Sequence, residues 1–79
     1  MSRDEVYRQL ITLGTAALDR ASLPDGPLDE HLDSVQRLTL VVAVEDHFGI
    51  CFEPEDDEEA RTLDDVVRIV QRHLEAAHG

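Results

Sequence analysis

Leu63, Val66, Val67, Val70 and Leu74 recur at i, i+3, i+4, i+7 and i+11, a spacing that lines one side of an α-helix and suits no other regular structure. Thr62-Leu63-Asp64-Asp65 reads as a capping box in front of it, so the spacing predicts a helix over 62–76, with Glu75–Gly79 fraying. One amphipathic helix cannot bury its own stripe, and the rest of the chain has to supply partners. Val6, Leu10, Leu13 and Ala17, widened by Tyr7, Ile11 and Leu18, give a second stripe over 3–20. Asp4 and Glu5 sit in its first turn, where they suit the positive end of the helix dipole.

The third apolar stretch is less clear. Leu40 to Val44 is a short run rich in β-branched residues, which a strand would also accept. Its borders favour a helix over 33–48: Asp33 with Gln36 forms a capping box at one end, and Gly49 suits the C-terminal cap at the other. At 100° per residue, Leu38, Val41 and Phe48 fall together, Val35 and Val42 extend the arc, and Leu40 and Val44 carry it round the other side. That is more apolar circumference than one core-facing side needs, so part of it is expected to serve a partner or a cavity.

Between these stretches, Ser22-Leu23-Pro24-Asp25-Gly26-Pro27 is turn chemistry, and a loop is expected over 21–32, anchored by Leu23, Leu28 and Leu32. Ile50-Cys51-Phe52 links to Glu53–Glu59, six acids in seven residues, where Pro54 predicts a short helix over 55–60. The expected fold is all-α: a single domain spanning 1–79, a small four-helix bundle of three main helices plus one short one. At 79 residues it buries about 60% of its unfolded surface, leaving a thin core.

Eighteen acids against seven arginines give a formal net charge of −11. Such a chain is repelled by nucleic acid and anionic membranes and suits proteins with basic docking surfaces. No apolar run is long enough to span a membrane and no secretory pattern opens the chain, so a cytoplasmic monomer is expected. The single Cys51, between Ile50 and Phe52, reads as a buried or half-buried inert thiol. His31, His47, His73 and His78 lack metal-ligand spacing, so no metal is expected, and the acidic run lacks the glycine and alternating ligands of a calcium loop. It reads as solvated surface. Nothing assembles a nucleophile, a base and an orienting group, so no catalytic residue and no enzyme activity is expected.

Asp33-Ser34-Val35, at the head of a helix, resembles the phosphopantetheine attachment motif of the acyl carrier protein family. The likeness runs on through Leu38, the apolar run to Val44, Glu45-Asp46, Phe48-Gly49-Ile50, the acidic loop and Thr62-Leu63-Asp64-Asp65-Val66. It implies a carrier whose Ser34 receives 4′-phosphopantetheine from coenzyme A by a separate phosphopantetheinyl transferase. Asp33 would belong to the motif and cap the helix. The arm's thiol would hold acyl groups as thioesters for loading, condensing and modifying enzymes. The resemblance further implies that Glu45 and Asp46 meet basic residues on those partners, beside Val35 and Val42. Two positions depart from the pattern: His31 stands where a glycine is common, and Thr39, on the same docking side, replaces the glutamate of fatty-acid carriers. The resemblance implies service in fatty-acid synthesis or, as these departures favour, in polyketide or other secondary metabolism. An aminoacyl or peptidyl carrier, and an unmodified acidic helical adaptor, are the competing readings.

Overall fold

The computed structural model describes residues 2–78. It contains α1 (Arg3–Leu18), α2 (Leu28–His31), α3 (Ser34–Phe48), α4 (Pro54–Glu59) and α5 (Leu63–His78), with no strand among the described residues. α1 packs on both α3 and α5, α2 leans on α3, and α4 rests on α5. Val6 and Leu10 of α1, Leu40 and Val44 of α3, and Val66, Val67 and Val70 of α5 meet in the core. Leu28 and Leu32 seal it from the connection between α1 and α3, with Leu23 half-buried beside them.

The expected stripes form, with corrections at their edges. α1 stops at Leu18 rather than Arg20. Asp19 turns left-handed (φ 53°) while its N–H and that of Arg20 bond back to Ala16 O and Thr15 O, a Schellman ending that halts the helix. Gly49 (φ 66°) closes α3 in the same way, with Ile50 N reaching Glu45 O at 3.1 Å. Ala17 is exposed, not core: the buried line runs Val6, Leu10, Gly14. A Cβ on Gly14 would lie 2.7 Å from Leu23 Cδ1, so the glycine is what lets this loop anchor settle on α1.

The connection over 21–32 is not wholly loop, because α2 interrupts it. Leu28 N donates to Arg61 O (2.8 Å) and Leu32 N to Leu28 O (2.7 Å), a single turn held down by the two buried leucines. α4 starts one residue earlier than expected, at Pro54, and ends at Glu59. α5 is capped as its motif predicts, by Asp65 N to Thr62 Oγ1 (3.3 Å) and Thr62 N to Asp65 Oδ2 (3.1 Å). Burial would raise the Asp65 carboxyl, but these Thr62 bonds, Arg61 N–H and Arg68 together hold it below the usual range. The helix continues to His78, two residues beyond the expected end, and Gly79 lies outside the described residues.

Candidate functional site

α3 presents three faces, and the site is built from two of them. Leu40 and Val44 point into the core. Val35, Thr39, Val42 and Asp46, spaced i, i+4, i+7 and i+11, form an outward face, all of them exposed. Between the two, Ser34, Arg37, Leu38, Val41 and Glu45 line a groove of about 790 Å³ against Leu32, Phe52 and Asp57. The surplus apolar circumference is thus resolved: Val35 (72% exposed), Leu38 (63%) and Val42 (52%) are left uncovered.

Ser34 is exposed and is the first residue of α3. The cap bonds are made around it: Gln36 N donates to Asp33 Oδ1 (2.8 Å), and Asp33 N to Gln36 Oε1 (3.2 Å). The Ser34 hydroxyl takes part in neither. Of the five helices among the described residues, α3 is the one whose first turn carries no acid. The Asp33 carboxylate already caps Gln36 N at this end, but the first turn adds no acid beyond it, and the N–H groups that Asp33 leaves unbonded can face an external anion.

The remaining expected site residues divide. Thr39 Oγ1 donates back to Val35 O (2.8 Å), so its hydroxyl is spent within the helix. Asp46 is free on the outer face, whereas Glu45 is half-buried and accepts a 2.7 Å hydrogen bond from Phe52 N. The structure therefore separates a pair that is adjacent in sequence. Cys51 is exposed, against expectation. Its neighbours Ile50 and Phe52 are half-buried against the core, while Cys51 between them is left facing solvent.

Two residues of the neighbourhood were not foreseen. Arg37 crosses from α3 to the end of α4, donating from Nη2 to Asp57 O (2.6 Å) and Ala60 O (2.8 Å). Asp56, inside the run read as solvated surface, is 4% exposed. It accepts from Arg72 Nη2 (2.5 Å), His73 Nε2 (2.7 Å) and Glu53 N (3.0 Å), and the Phe52 ring stacks on His73. Burial raises the Asp56 carboxyl, but the Glu53 N–H, His73 and Arg72 outweigh it and hold it below the usual range. A lone arginine on an apolar helix face was the available signal for Arg37. Asp56 had none, since its burial depends on where α5 lies. Among the described residues, no three His, Cys, Asp or Glu side chains are placed to hold a metal ion, and no helix is long and apolar enough to cross a membrane.

Compared with known protein families and with curated proteins, the chain matches none.

Proposed function

We propose that this chain is a carrier of the acyl carrier type, serving polyketide or related secondary metabolism, with Ser34 as the attachment site for 4′-phosphopantetheine. The observation that carries this reading is the combination at Ser34: an exposed hydroxyl, a helix start without acids in its first turn, and a groove leading away from it. The residues fit the group. A phosphodiester on Ser34 Oγ would face the first-turn N–H groups of α3, and Leu38, Val41 and Phe52 offer the groove an apolar wall.

In the loading step, Ser34 Oγ attacks the phosphorus of coenzyme A that bears pantetheine. The P–O bond to the adenosine bisphosphate breaks and that group leaves with the electron pair, while the hydroxyl proton passes to a base of the transferase. The neighbouring Asp33 carboxylate is engaged by Gln36 N, so the base is assigned to the transferase. Once attached, the arm supplies a thiol that can hold an acyl group as a thioester. Asp33 keeps the helix start rigid through Gln36, and Val35, Thr39, Val42 and Asp46 give the enzymes that use the cargo an apolar face with an acidic end.

The test is intact mass after incubation with coenzyme A and a broad-specificity phosphopantetheinyl transferase. A gain of one phosphopantetheine unit, absent in Ser34→Ala, is the expected result. No gain, with a transferase active on another carrier in the same assay, would overturn the reading and leave the unmodified adaptor.

A further inference from the structure

Polar bonds from α3 span the groove at two places. Glu45 holds Phe52 N at one, and Arg37 holds the Asp57 and Ala60 carbonyls at the other. Those carbonyls lie at the end of α4, where backbone acceptors lack helical partners and the dipole is negative. The last turn of α4 holds no basic residue of its own, so Arg37 supplies its cation from across the gap. Arg37 Nε is buried without a hydrogen-bond partner, 3.6 Å from Asp29 Oδ1 of α2. The guanidinium thus ties three helices together, one turn from Ser34. The apolar wall of Leu38, Val41 and Phe52 lies in the same groove as both bonds.

Resting on the carrier reading, we propose that Arg37 is a positioning residue that limits cargo length: its bonds pin the end of α4 to α3 beside the groove, so that short acyl groups are accommodated and long apolar chains, which would have to part the two helices, are left outside. A long chain can enter only by moving the guanidinium aside. Ala60 is 1% exposed, and an apolar chain offers its carbonyl no donor in exchange, so the displaced arrangement leaves a buried acceptor unmet.

The test loads wild type, Arg37→Met and Arg37→Lys at Ser34 from acetyl-, hexanoyl- and decanoyl-coenzyme A, then compares each melting temperature with that of the free-thiol form. The wild type is expected to stay level from acetyl to decanoyl. Arg37→Met, which keeps the stem and loses the donors, is expected to climb with chain length, and Arg37→Lys to return toward the level profile. In the unmodified protein, amide exchange over Asp57–Arg61 is expected to quicken in Arg37→Met. A wild type that climbs as the Met variant does overturns the proposal. So does a level Met variant, or normal loading with unchanged exchange. Failure of all three proteins to gain mass overturns the carrier reading itself and the cargo rule with it, an outcome the mass spectrum separates from the others.

Discussion

The α1–α3–α5 body and the α4 segment are held by different forces. The first is joined by Val6, Leu10, Leu40, Val44, Val67 and Val70, all essentially inaccessible to solvent. Its stability is area removed from water, without direction and with little dependence on charge. α4 places only Asp56 of its own six residues out of solvent. It is fastened by discrete polar bonds: Asp56 to Arg72 and His73, Glu59 to Arg72, and Arg37 to the carbonyls at its end. A segment held by a few directional bonds can open without unfolding the body beneath it. α4 contributes Asp57 to the groove beside Ser34, so the more weakly attached region borders the site proposed for cargo.

The sharpest way to break this contrast is to cut the body. Leu40→Ala is expected to cost about 2–5 kcal/mol, because the side chain is fully buried and a cavity replaces it. All three long helices should melt together, earlier than in wild type, when followed by circular dichroism. Asp56→Ala should cost less, about 1–3 kcal/mol, since Arg72 and His73 retain some access to water. Its effect should be local: amide exchange quickens over Pro54–Ala60 while α1 and α5 keep their protection. Equal acceleration everywhere would mean that the two regions form one cooperative unit.

Acid should separate the same two regions. The Asp56 carboxyl sits below its ordinary value of 3.8 in the fold. Its contribution is therefore complete above that value and is lost as pH falls through the lower, folded value. Backbone NMR signals of α4 are expected to leave their native positions in that acid range before those of Leu10 and Val67 do. Asp56→Asn should remove this early phase.

The smallest expected effect concerns two helix ends of identical design. Asp19 and Gly49 occupy the same left-handed position, which an L-residue adopts at a cost and glycine does not. Asp19→Gly is expected to gain about 0.5–1 kcal/mol and Gly49→Ala to lose about 1 kcal/mol, both read from thermal melts.

Local rules were enough for much of this molecule. The helical period of Leu63–Leu74, the capping boxes at Asp33 and Thr62 and the stop at Gly49 are properties of neighbours along the chain, so sequence alone determined three long helices, their ends to within a few residues, and Ser34 at the start of one. Which apolar residues of α3 are buried was another matter. Leu40 and Val44 face inward, Val35 and Val42 outward and Leu38 into the groove because α1 packs on one side of α3, and periodicity does not say which side of a broad stripe meets a neighbour. The turn of α2, the burial of Asp56, the exposure of Cys51 and the reach of Arg37 to α4 are likewise tertiary decisions. Each depends on atoms far apart in sequence, sixteen residues from Asp56 to Arg72 and twenty-three from Arg37 to Ala60, whose meeting is set only when the helices pack.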